Sequence, residues 1–538
     1  MSLSRRELLS ALLGAPLASL ACARRPRAVP GSLLGARLEL GHRLLDLSVE
    51  KVSAPAERVS VLIVGSGPSG LAAAWRLERL GVRDYRVLDL ERVAGGTSAS
   101  GHDGVVPYPW GAHYVPVPRR EQRELVSLLE EIGAVRVAGD GTPEGVEASR
   151  VRAPEERLFL DGHWIEGLFP SPRASANDHA ELARFEAEIR GYVAFRDAQG
   201  RRAFTLPMRR CSDAAELVAL DRLSARAWLE QRGFRSPLLR WYVEYACRDD
   251  YGASLEGTSA WAMLFYFCAR VAEPGGESAP FLSWPEGNGR VVSHLSRKVG
   301  ERLALNRLVT DVVPGPDGVE VVAFDAQQNR ALRYLAEDVI LAVPKLVARR
   351  ILRPFRDAPP PHLSEFQYSA WLVANLHLAD RPRSRGFPFA WDNVLFDSPA
   401  LGYVVATHQT LSDFGPTVWT YYRPLWEHSE HESRALLRSL DHATAVDGIL
   451  TDLGRAHVGL ERLVQRIDVY RWGHAMVTPR PGFIWGGARA KASEPFGRVV
   501  FAHSDLSGLA LLEEAFDRGL LAANAVLRRR GVEVGEAG

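Results

Sequence analysis

The stretch "VLIVGSGPSGLAAAWRL" (Val61–Leu77) decides the fold. An apolar run typical of a buried strand leads into glycines spaced G-x-G-x-x-G, and the residues Ser69–Arg79 then favour a helix. Gly65 permits a tight turn, Gly67 lets the backbone approach a pyrophosphate, and Gly70 lets the helix pack on the strand. Ser69 and its neighbours offer the N–H groups of a helix N-terminus to phosphates. The stretch predicts a dinucleotide site.

A second strand supports this site. The segment "DYRVLDLERVAGG" (84–96) ends a strand at Asp89, about 20 residues after the last glycine, where a carboxylate binds the ribose hydroxyls of an adenosine. A carboxylate at this position disfavours a 2′-phosphate and so argues against NADP. Taken alone, Asp89 is equally explained as an acidic residue that happens to end a strand. The order of strand, glycine turn, helix, second strand and acidic residue favours a dinucleotide site.

Composition limits the functional classes. The chain has 538 residues, enough for two or more domains, and its 66 Lys and Arg nearly balance 65 Asp and Glu. It therefore has no excess of basic residues that would indicate nucleic-acid binding. Its four cysteines form no C-x-x-C pair, and His428 and His431 in "WEHSEHES" match no common ligand spacing, so no metal site is predicted.

The N-terminus is predicted to be an export signal over residues 1–23. Arg5 and Arg6 precede an apolar run too short for an ordinary membrane span, and the pattern resembles a bacterial twin-arginine signal. The alternative is a short amphipathic helix. The segment "SLAC" ends at Cys22, which leaves lipid anchoring open. The resulting expectation is a periplasmic protein whose membrane attachment is limited to the N-terminus.

Three further segments indicate which dinucleotide binds. Gly95 and Gly96 follow Asp89, strands are predicted around "LVTDVV" and "DVILAVP", and near the C-terminus the strand Val499–Ala502 meets Asp505 and a long helix. Each alone fits a plain βα unit, but together they indicate FAD. Since a second dinucleotide fold for a nicotinamide donor is not predicted, the reducing equivalents are expected to come from an organic substrate.

With these motifs the chain resembles the flavin-containing amine oxidase superfamily, from about 58 to 527. The resemblance implies an α/β fold, a discontinuous Rossmann-like FAD-binding domain plus an α+β substrate domain with an antiparallel sheet. It implies that Gly65, Gly67, Ser69 and Gly70 hold the pyrophosphate and that Asp89 binds the ribose. The other implied cofactor contacts are Gly95, Gly96, Gly111, Ala112, His113, Val309 and Asp505. It also implies that Trp472 lies near the flavin.

Two departures from the family pattern leave the substrate open. The stretch "FQYSAWLVANLHL" (366–378) lacks the lysine that family members usually hold near flavin N5. The loop "LSGLALLEEAF" (506–516) lacks the aromatic residue that usually encloses an amine. An amine is the first hypothesis for a small-molecule substrate, and dehydrogenation of an apolar carbocycle or isoprenoid is the second. The third hypothesis is a flavin-binding partner subunit without turnover. The electron acceptor is open between oxygen and a quinone.

Catalytic candidates follow from position and ordinary pKa range. His113 and His474 are candidates for acid–base groups, although a lone histidine is as often structural, and Trp472 either walls the pocket or belongs to the core. Polar residues at the helix junction "RDDYGAS" (248–254) are candidates to line a cavity, as an alternative to a solvated turn. Four strand residues are further candidates: Asp392, Tyr403, His408 and Tyr422. Alternation does not say which face each one occupies.

The domain organisation is predicted as follows. An export signal (1–23) and a linker (24–57) precede an FAD-binding domain built from 58–118, 280–345 and 495–530. The substrate domain is expected to comprise 119–279 and 346–494.

Overall fold

A computed structural model describes residues 29–46, 55–102, 104–410, 412 and 414–535. The predicted export signal, with Arg5, Arg6 and Cys22, lies outside the described residues. Among the described residues, no helix is both long and apolar enough to cross a membrane.

The strands of the described residues are β1 Leu33–Gly35, β2 Ala56–Val64, β3 Tyr85–Leu88, β4 Ser100–His102, β5 Pro107–Pro109, β6 Tyr114–Pro116, β7 Val135–Val137, β8 Pro143–Gly145, β9 Glu156–Leu160, β10 His163–Glu166, β11 Phe281–Ser283, β12 Leu303–Ala304, β13 Arg307–Pro314, β14 Val319–Asp325, β15 Arg330–Leu341, β16 Tyr368–Leu378, β17 Asp392–Leu395, β18 Gly402–Val405, β19 Thr417–Pro424, β20 Val464–Val477 and β21 Val499–Phe501.

The α-helices of the same residues are α1 Leu38–Asp46, α2 Pro68–Arg79, α3 Arg123–Ile132, α4 Ala176–Ala194, α5 Ala215–Leu220, α6 Ala225–Gln231, α7 Pro237–Tyr251, α8 Ala260–Cys268, α9 Gly289–Val299, α10 Lys345–Ile351, α11 Arg353–Asp357, α12 Glu430–Ser439, α13 His442–Gly454, α14 Ala488–Ser493 and α15 Leu512–Arg529.

The nucleotide sheet has the strand order β12-β3-β2-β15-β14-β13, with β21 paired to β15. Strands β12, β3, β2, β15 and β21 run parallel, so their carboxyl ends meet at one edge. Val61, Leu62, Ile63 and Val64 are all buried, as expected for a central parallel strand covered on both faces. The glycine turn after β2 and the turn after β21 therefore lie at the same edge of this sheet.

Helix α2 begins at Pro68, one residue before the predicted start, because proline is favourable in the first helical turn. Helix α15 packs along α2 at Gly519, where a Cβ would overlap the carbonyl oxygen of Ser69. The C-terminal helix is thereby fixed against the helix that follows the glycine turn.

The second sheet has the order β1-β20-β16-β19-β18-β17-β9-β10. It is antiparallel as predicted, except that β1 pairs parallel with β20 and β17 pairs parallel with β9. Both exceptions join segments far apart in the chain, which no hairpin constrains. The predicted linker supplies strand β1 to this sheet and also forms α1.

Candidate active site

The turn between β2 and α2 forms a cradle of glycines at the edge of the nucleotide sheet. Gly65 has a φ of 102°, and a Cβ there would overlap the carbonyl oxygen of Ala342. A Cβ at Gly70 would overlap the carbonyl oxygen of Gly65. Gly67 differs, because a Cβ built on it meets no atom within 4 Å. Packing thus requires two of the glycines, whereas the third, followed by Ser69 in the first turn of α2, borders open space.

Asp89 follows β3 beside this turn. Its Oδ2 accepts hydrogen bonds of 2.6 Å from the backbone N–H and from the hydroxyl of Ser66. The N–H of Gly95 donates to the carbonyl oxygen of Ser66 at 2.9 Å, and a Cβ at Gly96 would lie 3.7 Å from the Cα of Gly67. The ribose-binding candidate and the glycine pair therefore enclose the cradle.

The loop Trp110–Tyr114 continues this arrangement. The N–H of Ala112 donates to the carbonyl oxygen of Thr97 at 2.9 Å, and a Cβ at Gly111 would overlap the same oxygen. Glycine is required at position 111 because the two loops touch there.

The same loop is also bound to the second sheet. The hydroxyl of Tyr422 donates a hydrogen bond of 2.8 Å to the carbonyl oxygen of Gly111. The indole N–H of Trp472 donates one of 2.6 Å to the carbonyl oxygen of Trp110. Trp472 is half-buried and lies directly against the loop. The loop therefore bridges the cradle and the inner face of the second sheet.

Val309 lies in β13, directly before a β-bulge. At this bulge Thr310 has no paired residue in β14. The same strand begins beside the ribose-binding candidate, because the N–H of Arg307 donates to the carbonyl oxygen of Asp89 at 2.7 Å. Val309 therefore lies in the strand that begins next to Asp89, and its contact with the adenine stays a prediction.

Asp505 lies at the opposite end, after β21. Its Oδ2 accepts hydrogen bonds from the N–H of Lys345 at 2.8 Å and from the hydroxyl of Tyr368 at 2.6 Å, and its Oδ1 lies 2.9 Å from Nδ1 of His503. Burial acts to raise the pKa of Asp505, but these partners outweigh burial and lower it below the ordinary value. Asp505 therefore ties together the turns that follow β15 and β21.

His113 is enclosed by aromatic rings. Its imidazole centroid lies 4.9 Å from that of Tyr422 and 5.3 Å from that of Trp391. Burial lowers the pKa of His113 to about 4. The imidazole is therefore neutral at neutral pH.

His474 lies in a different environment. Its ring centroid is 5.9 Å from that of Tyr368. Burial, followed by the positive charges of Arg434 and His42, lowers the pKa of His474 to about 4. The two histidines thus have different neighbours, and only His113 lies in the loop that bridges to the second sheet.

An aromatic cluster covers the inner face of the second sheet. Together with aliphatic residues it contains Tyr114, Trp241, Tyr245, Phe281, Trp371, Trp391, Tyr422 and Trp472. These side chains come from the second sheet and the residue before β17, from α7, and from the two-stranded antiparallel sheet of β6 and β11.

Carboxyl groups lie beside this aromatic wall. Glu156 begins β9 and Asp392 begins β17, and the two residues are paired partners in parallel strands. Asp249 lies in the last turn of α7. Burial and then the charge of Glu155 raise the pKa of Glu156 to about 7, while burial followed by Asp249 and Glu156 raises that of Asp392 well above its ordinary value. Burial likewise raises the pKa of Asp249.

Arg270 is the cation of this region. Its guanidinium lies 3.6 Å from the carboxylate of Asp250 and 5.4 Å from the ring centroid of Tyr114. Although burial disfavours the charged form, Asp250, Tyr114 and Glu513 raise the pKa of Arg270 well above its ordinary value. Arg270 therefore remains charged and neutralises part of the acidic group. We call the region around Glu156, Asp249, Asp392 and Tyr422 the acidic cavity, because burial raises the pKa of each of its three carboxyl groups although their side chains keep accessible surface.

The other sequence candidates lie elsewhere. Arg248 donates to the carbonyl oxygen of Ser398 on the far side of α7, and Tyr251 is part of the core. Tyr403 stacks on Trp419 on the outer face of the second sheet. His408 lies at the surface.

Sequence reasoning missed Glu156, Arg270 and Glu513 as site residues. Glu156 and Arg270 belong to segments without a recognisable motif, and Glu513 belongs to "EEAFDRG", a segment that resembles the family's glutamate-rich helix start but was not read as a site. Glu156 becomes significant only through its pairing with Asp392, and the sequence carries no signal for a pairing between strands that lie so far apart.

The fold and the cradle define a dinucleotide-binding protein whose second sheet packs against the loop beside the dinucleotide site. A model of the family described as flavin containing amine oxidoreductase matches residues 68–527, so the chain belongs to this family. It is an FAD-dependent oxidoreductase. The open space beside Gly67, at the N-terminus of α2, fits the cofactor's pyrophosphate.

Solved structures share the fold. A putrescine oxidase, solved as the wild type bound to putrescine, has a TM-score of 0.65 at 19% identity and covers 88% of this chain and 100% of its own. A cyclohexylamine oxidase from Brevibacterium oxydans IH-35A has a TM-score of 0.61 at 16% identity, with coverage of 88% and 99%. No curated protein sequence matches the chain significantly.

Proposed function

We propose that this FAD-dependent oxidoreductase oxidises an amine. The observation that carries the proposal is the excess of carboxyl groups over basic groups in the acidic cavity. Glu156, Asp249 and Asp392 border it, with Arg270 as the counter-charge already paired to Asp250. Carboxylates removed from water without a partner are costly, and a cationic ligand removes that cost.

The aromatic wall supports the same substrate class. Tyr114, Trp391 and Tyr422 present ring faces and edges around His113, and aromatic faces attract an alkylammonium group. Because His113 is neutral, it does not repel a cation. The two similar solved structures are named for amine substrates, which agrees with the proposal.

When bound, FAD supplies the two-electron acceptor that takes a hydride equivalent from a carbon–hydrogen bond. The protein supplies the rest. The aromatic rings exclude water and hold the carbon chain, and the loop Trp110–Tyr114 is held by Tyr422 and Trp472, so the reacting end of the substrate meets a fixed wall. His113, a sequence candidate for an acid–base group, is a weak base at its lowered pKa of about 4, so its neutral imidazole is better suited to orient the amine than to take its proton.

An apolar carbocycle or isoprenoid fits this cavity poorly. Such a substrate would leave Glu156, Asp249 and Asp392 buried against hydrocarbon without a partner. The carboxyl groups therefore favour the amine over the second hypothesis.

The test is anaerobic reduction of the bound flavin by a panel containing butylamine, 1,4-diaminobutane, benzylamine and a lipophilic polyene. Bleaching of the flavin by one or more amines, with none by the polyene, is the expected result. Bleaching by the polyene alone would favour the second hypothesis, and no bleaching by any compound would favour the third. Reoxidation by oxygen or by a soluble quinone then separates the two candidate electron acceptors.

We also propose that the protein is exported by the twin-arginine route and acts in the periplasm. The support is the Arg5-Arg6 pair followed by an apolar run. Arg5→Lys combined with Arg6→Lys is expected to retain the protein in the cytoplasm, as measured by cell fractionation. Secretion of the double variant at the wild-type level would contradict this. Labelling with a radioactive fatty acid in wild type and Cys22→Ala decides whether Cys22 is lipidated.

A further inference from the structure

The segment before β2 connects the two sheets of the molecule. Residues 32–44 contain β1 and most of α1, and they lie before residue 68, where the match to the family begins. The sequence predicts this part of the chain as a linker. In the structure it is attached to both sheets, and we call residues 32–44 the clasp.

The first part of the clasp is the edge strand of the second sheet. Strand β1 pairs in parallel with β20, and Leu34 lies opposite Tyr470. The ring of Tyr470 stacks on that of Trp472 with a centroid distance of 4.3 Å, and the indole of Trp472 holds the loop Trp110–Tyr114. The clasp therefore begins beside the side chains that hold the loop next to the cradle.

Arg37 attaches the clasp to the nucleotide sheet only three residues after Leu34. Its N–H donates to Oε1 of Glu91 at 3.0 Å, and its guanidinium donates to Oδ1 of Asn306 at 2.8 Å. The N–H of Glu91 in turn donates to Oδ1 of Asp89 at 2.8 Å. The clasp therefore contacts the loop that carries the predicted ribose-binding carboxylate.

Helix α1 continues along the nucleotide sheet. The guanidinium of Arg43 lies 4.3 Å from the ring centroid of Phe324 in β14, and Leu44 packs against the core that contains Leu88 and Val309. The N-terminal half of the clasp thus belongs to one sheet and its C-terminal half to the other.

Helix α1 also acts on β20. Burial, then the charges of Arg434 and His42, lower the pKa of His474, so His42 in α1 lies near this residue of β20. The ring of His474 lies 5.9 Å from that of Tyr368, whose hydroxyl donates to Asp505. The clasp therefore reaches from the neighbours of Asp89 to the neighbours of Asp505, the two carboxylates predicted at opposite ends of FAD.

The residues that the clasp contacts on the two sheets are neighbours in space. Burial, and then the charge of Glu91, raise the pKa of Tyr470. The ring centroid of Tyr470 lies 5.3 Å from that of Trp110. The clasp thus crosses the gap between the loop after Asp89 and the loop Trp110–Tyr114.

We infer that the clasp is a further part of the cofactor site, which retains FAD by closing the side between the two sheets. FAD then leaves only when the clasp detaches. Strand β1 is the part that opens, because it is a short edge strand, and such strands separate locally at low cost. The other end of the clasp continues along the chain into β2. The inference needs FAD binding alone and holds for any substrate of the enzyme.

The first experiment measures how fast bound FAD exchanges with an excess of radiolabelled FAD. In Arg37→Ala the exchange is expected to be at least about tenfold faster than in wild type, because the variant removes the guanidinium bond to Asn306. A hydrogen bond made by a charged group is worth roughly tenfold or more.

Arg302→Ala is the matched control. Arg302 also ties two segments together at the nucleotide sheet, because it donates to the carbonyl oxygen of Arg83 at 3.0 Å and pairs with Glu78 at 2.8 Å. It lies at the amino end of β3, at the edge of the sheet opposite to the cradle. Its exchange rate is expected to stay within about threefold of wild type.

The second experiment fixes the clasp with a reversible bond. A Cβ built on Gly35 lies 3.8 Å from the Cβ of Arg471, which is about the mean separation in disulfides. Gly35→Cys combined with Arg471→Cys is therefore expected to form a disulfide between β1 and β20 on oxidation. FAD exchange in the oxidised double variant should be at least about tenfold slower than in the same protein after reduction with dithiothreitol. Wild type, in which Cys211, Cys247 and Cys268 are buried, should not respond to the oxidant.

The two experiments overturn the inference in different ways. Equal exchange rates in the oxidised and reduced double variant would contradict it, and so would a wild-type rate in Arg37→Ala or an equal acceleration in Arg302→Ala. Failure of the disulfide to form would contradict the position of β1 beside β20. FAD that does not exchange in any form would show that the clasp is not what retains it. If Arg37→Ala does not fold, the comparison of the oxidised and reduced double variant decides alone.

Discussion

Asp505 and Asp392 are both aspartates inside the protein, but their surroundings differ in kind. Asp505 receives hydrogen bonds from Lys345 and Tyr368 and lies against His503, and its pKa is lowered despite burial. Asp392 receives a long hydrogen bond from Tyr245 and one from the backbone N–H of Asn393, and burial together with Asp249 and Glu156 still raises its pKa. The partners of Asp505 therefore outweigh the cost of burial, whereas those of Asp392 do not.

The same contrast separates the cofactor end from the substrate end. At the cradle, Asp89 and Asp505 already have protein partners, and the space for the cofactor is open beside Gly67. In the acidic cavity, burial outweighs the partners of the carboxyl groups and raises their pKa values. Cofactor binding therefore depends mainly on backbone shape, whereas substrate binding depends on charge.

The largest expected effect concerns backbone shape. Gly67→Val should reduce the flavin content of the purified protein by more than about 90%, because its side chain would fill the open space at the pyrophosphate position. The measurement is the ratio of absorbance at the flavin band to that at the protein band.

Gly191→Val is the control for this change. Gly191 lies on the exposed face of α4, and a Cβ at this position would likewise meet no atom within 4 Å. The control variant should retain the flavin. Normal flavin content in Gly67→Val would show that the cofactor does not use the cradle.

The second effect concerns the satisfied carboxylate. Asp505→Asn should lower the free energy of unfolding by about 1–3 kcal/mol at pH 7, because the donors on Lys345 and Tyr368 lose a charged acceptor. A lowered pKa contributes stability above the ordinary value of an aspartate, and this contribution is lost as the pH falls through the folded-state pKa. The difference between variant and wild type should therefore shrink in acid. Asp317→Asn, at an exposed hairpin turn, should change stability by less than about 0.5 kcal/mol.

The third expected effect is an increase in stability, opposite to the loss expected for Asp505→Asn. Asp392→Asn should raise the free energy of unfolding of the substrate-free enzyme by about 1 kcal/mol at pH 7, because it removes a poorly partnered carboxylate. A raised pKa means that the cost of Asp392 grows as the pH rises above the ordinary value of an aspartate, so the gain should vanish in acid. Denaturant unfolding of variant and wild type at pH 7 and at pH 4 measures the gain in stability and its disappearance in acid. A loss of stability as large as that of Asp505→Asn would abolish the contrast between the two aspartates.

The smallest effect is on pH dependence. Burial raises the pKa of Glu156 to about 7, and a bound ammonium favours its ionised form. For the amine that reduces the flavin fastest, the ratio of kcat/KM in wild type to that in Glu156→Gln should therefore rise several-fold between about pH 6 and pH 8. The ammonium form of an alkylamine predominates over this range, as it does for lysine. The charged and titratable groups facing Glu156 and its partners are Glu155, Asp249, Asp250, Arg270, Tyr245, Asp392 and Tyr422.

Glu166→Gln is the control for this change, because Glu166 is exposed and lies on the neighbouring strand β10. The ratio of wild type to this control should stay constant with pH. A constant ratio for Glu156→Gln as well would assign the pH dependence to a group other than Glu156.

The sequence predicts the cofactor end better than the substrate end. The glycine turn, Asp89 and the final strand and helix are local patterns, and each is formed by consecutive residues. The acidic cavity depends on long-range register, since Glu156 lies opposite Asp392 only because β9 and β17 pair in parallel. Alternation alone makes Tyr403 and Tyr422 equal candidates, yet they face opposite sides of the sheet.

On our proposal, the carboxyl groups of the acidic cavity bind a cationic substrate. A crystal structure of the reduced enzyme soaked anaerobically with the amine that reduces the flavin fastest tests this without any variant. We expect its nitrogen about 3 Å from a carboxylate oxygen of Glu156, Asp249 or Asp392, and the rest of the substrate beside His113. An amine bound outside the cavity, or bound with no nitrogen near these carboxyl groups, would contradict the proposal.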